Sequence, residues 1–321
     1  MLGTVLEVTL VGPDRQRLRA LAHELHRRAA ELEGILSNWD PESEISRLNR
    51  RAGRGPVPVS EPLYDLLARA LRLNRETAGA FDVTVGPLVD LWREAARRGS
   101  PPTPREVAAA RARVGPGRIR LLSGSRVRLA PGTRIELGGV AKGFAVDRLS
   151  ERLAREPLVG ALLNLGGSSL RAVGDAPEGG PWRLLLAGPE AEPVGVLAIR
   201  DRFVSISSSR GEVLQVGDVR VGHILDPRSG HPVPGARVAV VAAPTGTAAE
   251  AWSKALLVLP PQEGLDRMAA RAGFGALVFD AGRHLRRTPG SEAILPLLPL
   301  PAPSELAGAP RVLRGGRIPA R

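Results

Sequence analysis

Lysine occurs only twice in this chain, at Lys142 and Lys254, so 43 of the 45 basic residues are Arg. Both lysines fall in stretches where an ammonium group could do chemistry. Lys142 follows the glycine pair Gly138-Gly139 of IELGGVAKGFAVD, where a strand is expected to end and a helix to begin. Free N–H groups at a helix start, with glycines allowing close approach, favour an anion such as phosphate. The spacing matches neither GxGxxG nor GxxxxGKS/T, so this motif alone names no nucleotide. Lys254 lies four residues after Glu250 in EAWSKALLVL, which on a helix sets a carboxylate beside an ammonium. As an ordinary surface pair it would contribute only about 0.2–0.5 kcal/mol, and that reading leaves the scarcity of lysine unexplained.

Three further stretches put polar or glycine residues where packing alone would not. In GAFDVTVGPLVDLW, Asp82 and Thr84 alternate with Phe81, Val83 and Val85 before Gly86-Pro87, which by itself reads as a strand edge and a turn. In LNLGGSSLRAVG, Gly166-Gly167 interrupts a strand pair and could be no more than a bulged hairpin. In VGHILDPRSGHPV, His223 and Asp226 precede a Pro-Arg-Ser-Gly turn. A neutral histidine, with a reference pKa of about 6.5, suits a general base near neutral pH, although a lone histidine is more often structural.

The elements that must position these groups follow from hydrophobic spacing. Residues 2–11 read as a strand, and Asp14 caps a helix to about Gly34 with Leu18, Leu21, Leu25, Ala29 and Leu32 on one face. SNWDPESEISRLNR is expected to be a loop, followed by a helix from Glu61 to Gly79. Further helices are expected at 90–98, 104–114, 140–155 and 248–259. Strands are expected at IRLL, VRLA, TRIELGG, ALLNLGG, SLRAVG, WRLLLAG, GVLAIR, FVSIS and ARVAVVA, with a closing hairpin at 275–280 and 284–287. Strands and helices without regular βα alternation predict an α+β fold.

Composition narrows the class. The chain has 321 residues, is 43% hydrophobic and only 3% aromatic, so Leu, Val and Ala must build its core. With no cysteine, disulfides, thiolate metal sites and a Cys nucleophile are excluded. The net charge of +12 raises nucleic acid as a partner, but the arginines are scattered along helix faces and not gathered with aromatics, so that reading is the less favoured one. No apolar run approaches the roughly 20 residues of a membrane span.

Taken in order, LGT near the start, SNWDPESEISRLN, GAFDVTVGPLVDLW, ELGGVAKGFAVD, LNLGGSS, GHILDPRSGHP and APTGTAAEAWSKAL make the chain resemble the ApbE family, flavin transferases that move FMN from FAD onto a Ser or Thr of a target protein. The resemblance spans about Leu2 to Phe279. It implies an α+β, T-fold-like architecture with mixed and antiparallel sheets packed with helices around an FAD cleft. A single transferase domain over residues 1–296 and a mobile Pro/Arg-rich tail over 297–321 are expected. It further implies that Trp39 meets the flavin ring, that Ala80, Phe81 and Asp82 contact the adenosine side, and that Leu2, Glu136, Lys142 and Ile224 also contact FAD. His223 and Asp226 match the family's His-x-x-Asp and are implied as catalytic, with His223 the base near the acceptor hydroxyl, and Mg²⁺ is the implied metal beside the pyrophosphate, reached by the Gly139 carbonyl.

The chain departs from the family near its C-terminal end. Where the family supplies Asp and, four residues on, Thr or Ser as metal ligands, this sequence has Glu250 and Lys254, with Ser253 adjacent. A carboxylate still ligates Mg²⁺, whereas a protonated ammonium has no lone pair. Three outcomes are compatible: Lys254 stands in for the metal and reaches the pyrophosphate; Mg²⁺ stays on Glu250, the Gly139 carbonyl and waters, or on Ser253, with Lys254 turned aside; or the protein binds FAD without transferring FMN. The first is the expected one. The competing functions are an FAD-binding protein of the same fold, as a flavin carrier or FAD pyrophosphatase, and, more distantly, a basic nucleic-acid-binding protein. Family resemblance suggests a redox-complex subunit with a Ser/Thr flavinylation motif as acceptor. A cytoplasmic location is expected, or a periplasmic one if a leader has been removed.

Overall fold

The computed structural model describes residues 2–282 and 284–300. The chain runs through β1 (Leu6–Val11), α1 (Arg15–Leu36), α2 (Glu44–Arg50), β2 (Val57–Pro58), α3 (Glu61–Glu76), α4 (Gly86–Arg98) and α5 (Pro104–Arg111). It continues through β3 (Ile119–Leu122), β4 (Arg126–Leu129), α6 (Ala141–Leu153), β5 (Gly160–Leu165), β6 (Ser169–Gly174), β7 (Trp182–Ala187) and β8 (Pro193–Ile199). Then come β9 (Arg202–Ser208), β10 (Val213–Val216), β11 (Val219–Gly222), β12 (Arg237–Ala243), α7 (Gly246–Val258) and α8 (Pro261–Ala269). The last elements are β13 (Gly275–Asp280), β14 (Leu285–Arg287), α9 (Ser291–Ile294) and β15 (Leu297–Leu298).

The centre is a sheet in the order β1-β5-β6-β9-β12-β13-β14, with every neighbouring pair antiparallel. Its strands β12 and β13 are apolar on both faces, and side chains alternate between them. Along β12, Ala239 and Val241 join α6 and α7 in the first core. Val238, Val240 and Ala242 join β7 and β8 in a second core on the other face. A third, smaller core gathers Leu88, Trp92 and Ala95 of α4 with Ala110 of α5 and Val216 of β10. The α+β expectation holds.

Local chemistry explains the element starts. The Asp14 carboxylate accepts from Arg17 N, and Leu21, Leu25, Ala29, Leu32 and Leu36 form the buried stripe of α1. Ser60 caps α3 in the same way through Leu63 N.

Four expectations need correction. The segment expected to be a loop after Ser37 contains α2, which Ser43 caps and which buries Ile45 and Leu48. The stretch Val83–Val85 is a 3₁₀ turn and not a strand edge, because the Asp82 carboxylate takes the Thr84 N–H (2.7 Å) and hydroxyl (2.6 Å). TRIELGG forms no ladder; Ile135 N donates to Asn49 and Leu137 N to Asn38, so two side-chain amides take the place of a neighbouring strand. Leu297–Leu298, assigned in advance to the tail, pair with β8; residues 301–321 lie outside the described residues. The β10–β11 hairpin and α8 had no expectation, and α4 begins at Gly86, before Asp90. Among the described residues no helix is long and apolar enough to cross a membrane.

Candidate active site

A cleft opens between the first core and the third. Its wall includes Leu2 and Trp39 from the N-terminal part, and Ala80, Phe81 and Asp82 from the turn before α4. Glu136, Gly139 and Lys142 come from the segment leading into α6, His223 and Ile224 from the loop after β11, and Lys254 from α7. Asp226, Glu250 and Ser253 do not line it.

The lysines meet because α6 and α7 cross closely. A Cβ on Gly143 would strike the carbonyl oxygen of Gly246 and come within 2.9 Å of Glu250 Cγ, and one on Gly246 would meet Gly143 O. Only glycine fits at either position. Asp147 of α6 locks the crossing, accepting from Gly246 N, Thr247 N and the Thr247 hydroxyl.

At this crossing Glu250 is fully buried and Oε1 is its working atom. The Ser169 hydroxyl donates to it at 2.5 Å, Lys254 Nζ lies 3.4 Å away and Lys142 Nζ 3.9 Å away. Burial pushes this carboxyl up, but Lys254, Lys142, Ser169 and the nearby Gly143 N–H outweigh it and hold the group below its ordinary value. Burial, helped by repulsion from Lys142, brings Lys254 down to about 8 against the pull of Glu250. Both ammonium groups therefore share one carboxylate and keep a net positive charge at the floor of the cleft near neutral pH. Beneath them, Ser253 is spent on neighbours: its hydroxyl donates to the Glu250 carbonyl and bonds the Ser205 and Ser207 hydroxyls at 3.0 and 2.7 Å.

His223 is held by the backbone of one residue. Its Nδ1 lies 3.0 Å from Glu212 O and 3.1 Å from Glu212 N. In the tautomer whose Nδ1–H donates to that carbonyl, Nε2 is bare and able to accept a proton. Burial is the main cause that lowers its pKa, the charges of Lys254 and Lys142 add to it, and the Glu212 carbonyl and carboxylate oppose it. The imidazole is thus neutral at pH 7. Asp226, expected among the catalytic residues, grips Arg228 with both oxygens at 3.0 Å and its backbone closes the turn to His231 and Gly230. It shapes the loop and leaves His223 to the Glu212 backbone.

The remaining wall residues divide similarly. Asp82 is buried, which raises its pKa against the hydrogen bonds from Thr84 and Asn74, so its first task is to hold the turn. Glu136 accepts from Gly138 N at 3.2 Å and from Arg134 at 3.3 Å. Trp39 is 53% exposed and carries the Arg93 guanidinium 4.5 Å over its ring centroid. Sequence reading missed Arg93, Asn38 and Glu212, which also line the cleft. Only Asn38, a polar residue beside Trp39, had a local signal; Arg93 and Glu212 arrive through the fold.

A cleft with two clustered ammonium groups, a neutral imidazole and an exposed indole suits a ligand that is anionic at one end and aromatic at the other. Comparison with known proteins agrees. The family model described as the ApbE family matches residues 2–278. The FAD:protein FMN transferase of Klebsiella pneumoniae is 32% identical over 272 residues, 82% of this chain and 77% of that protein. The protein of the same name from Salmonella typhimurium gives the same identity and coverage. The crystal structure of an ApbE protein from Thermotoga maritima superposes with a TM-score of 0.81 at 25% identity, covering 91% of this chain and 96% of that one. The flavin transferase ApbE from Vibrio cholerae gives 0.77 at 24% identity with the same coverage, a likeness of fold.

Proposed function

Because the chain belongs to the ApbE family, we propose that it is an FAD:protein FMN transferase, moving FMN from FAD to a Ser or Thr hydroxyl of an acceptor protein and releasing AMP. The observation that carries its mechanism is the meeting of neutral His223 with Lys142 and Lys254 in one cleft. The acceptor oxygen attacks the FMN-side phosphorus, and the bond from that phosphorus to the bridging oxygen breaks. That oxygen leaves on AMP. The hydroxyl proton passes to His223 Nε2. Charge grows on the phosphates during attack, and cations already in place offset it without reorganisation. Trp39 supplies an open ring for the flavin, while Ala80, Phe81 and Asp82 receive the adenosine side and Leu2, Glu136 and Ile224 complete the walls.

Mg²⁺ is the metal that family membership implies, and the residues do not fit it. Mg²⁺ asks for six oxygens at about 2.0–2.1 Å in near-ideal octahedral geometry. Glu250 is enclosed and shared by two ammonium groups, Ser253 is engaged with other serines, and the Gly139 carbonyl would be left with water. Among the described residues no cluster of three His, Asp or Glu side chains could hold a metal. Lys254 therefore does the metal's electrostatic work, and no step passes through Mg²⁺. The acceptor is a protein presenting a Ser or Thr in a flavinylation motif, most simply a redox-complex subunit.

The test is to incubate the protein with FAD and a Ser/Thr acceptor domain, with EDTA or with Mg²⁺, and to follow AMP and protein-bound flavin. Transfer that EDTA leaves intact, and that Lys254→Thr abolishes, is the expected result. Strong Mg²⁺ dependence in the wild type, kept or improved by Lys254→Thr, would defeat the role given to Lys254. Free FMN and AMP without labelled protein would mark an FAD pyrophosphatase, and bound FAD with no product a carrier.

A further inference from the structure

Arg93 projects into the cleft from α4 and has no carboxylate partner among the described residues. The two acids beside it on the helix are committed elsewhere, Asp90 to Arg134 at 3.3 Å and Glu94 to Arg97 at 2.5 Å. What Arg93 does meet is the Trp39 ring, with its guanidinium carbon 4.5 Å from the centroid. The two residues reach each other from supports of different kind. Arg93 stands on a helix whose first residue, Gly86, is wedged against the Arg134 backbone so that a Cβ would collide; the residue just before Arg93, Trp92, is pinned by its indole N–H to Gly230 O at 2.9 Å. Trp39 stands on the connection between α1 and α2. Its neighbour Asn38 is fixed by two hydrogen bonds, donating to Ile135 O and accepting from Leu137 N, but the indole itself is more than half exposed.

We propose that Arg93 is a positioning residue for the flavin end of the substrate: its guanidinium holds the Trp39 ring in the orientation that stacks on the isoalloxazine. This rests on the transferase reading given above. A cation over an indole face is attracted by the ring quadrupole, and from that position the guanidinium adds a restraint on how the half-exposed ring turns. An ordered ring loses less freedom when a flat ligand stacks on it, so the gain appears as affinity for the flavin half of FAD. The adenosine and phosphate ends, held by the 80–82 turn and the lysines, do not depend on it.

The test measures affinities without turnover, for FAD, FMN and AMP as separate probes, on the wild type, Arg93→Ala, Arg93→Lys and Trp39→Ala, and on the Arg93→Ala/Trp39→Ala double variant. Arg93→Ala is expected to weaken FAD and FMN by about three- to fivefold and to leave AMP unchanged. Arg93→Lys should recover part of the loss, and in the Trp39→Ala background the Arg93 substitution should have no further effect. An equal loss for AMP, no loss for FMN, or a loss that persists without Trp39 would each overturn the proposal. A wild type that binds FAD as described but transfers no FMN would count against the transferase reading alone.

Discussion

A histidine accepts a proton only while it is neutral, so with His223 as the proposed base its surroundings set the acid side of the pH profile. Burial, Lys254 and Lys142 hold its pKa below the ordinary 6.5. The transfer rate should therefore stay level from pH 7 down past 6.5 and then fall about tenfold per pH unit below the lowered value. A midpoint at or above 6.5 in the pH profile of kcat/KM for FAD, which reports the free enzyme, would remove His223 as the base. His223→Gln should slow transfer by roughly 10²–10⁴-fold while FAD still binds. The same shift has a stability sign. Between 6.5 and the lower folded value the unfolded chain binds the proton more readily, so this residue makes stability decline as pH drops through that window and contributes no pH dependence above it. Residue type and order were enough to nominate His223, Lys142 and Lys254. They could not tell that Glu250 would be sealed beneath both ammonium groups, or that Asp226 would turn to Arg228, because each depends on which side chain arrives from another element.

At the scale of elements, the site depends on how closely α6 and α7 approach, and that is set by two glycines. Gly143→Ala would press a methyl group into the Gly246 carbonyl and the Glu250 side chain. The helices must part, at a cost of about 1–3 kcal/mol, and Lys142 moves off Glu250 with its helix. A melting temperature lowered by several degrees together with weaker AMP binding is the expected pair of results. Gly34→Ala in α1 is the contrast, since nothing lies within 4 Å of its added Cβ and a helical alanine gains about 0.4–1 kcal/mol over glycine. If both substitutions shift the melt alike, close approach is not what Gly143 provides. Elements were legible wherever burial imposed a period: the stripe of α1 and the apolar runs of β5, β6, β9, β12 and β13 all read correctly. They were misread where side chains supplied the hydrogen bonds, as Asn38 and Asn49 do for residues 135–137 and Asp82 does for the turn at 83–85. The β10–β11 hairpin escaped notice because Gln215, Gly217, Asp218 and Arg220 break any apolar pattern.

For the whole molecule, the decisive fact is that the cleft is shared between two cores. The main body supplies Ala80, Phe81, Lys142 and Lys254, while the small core beneath α4 and the β10–β11 hairpin supplies Val89, Trp92 and Leu214. The small core has few members and a two-stranded sheet, so its local opening should cost less than global unfolding. A ligand that touches both bodies must be released before they separate. FAD at a hundred times its dissociation constant should then raise the unfolding free energy by about 2.7 kcal/mol, and the added protection has a predictable address. Amide hydrogen exchange in α4 and in residues 213–222 should slow by up to about a hundredfold with FAD, whereas β12 and β13, buried between the two larger cores, should change little at exchange times short of global unfolding. AMP, which in the proposed binding mode reaches the lysines and the 80–82 turn but has no flavin to lay beside Trp39 and α4, should protect the hairpin less than FAD at matched occupancy. Equal protection by both nucleotides would mean that the small core closes on phosphate alone and that the aromatic end of the cleft takes no part in joining the two bodies.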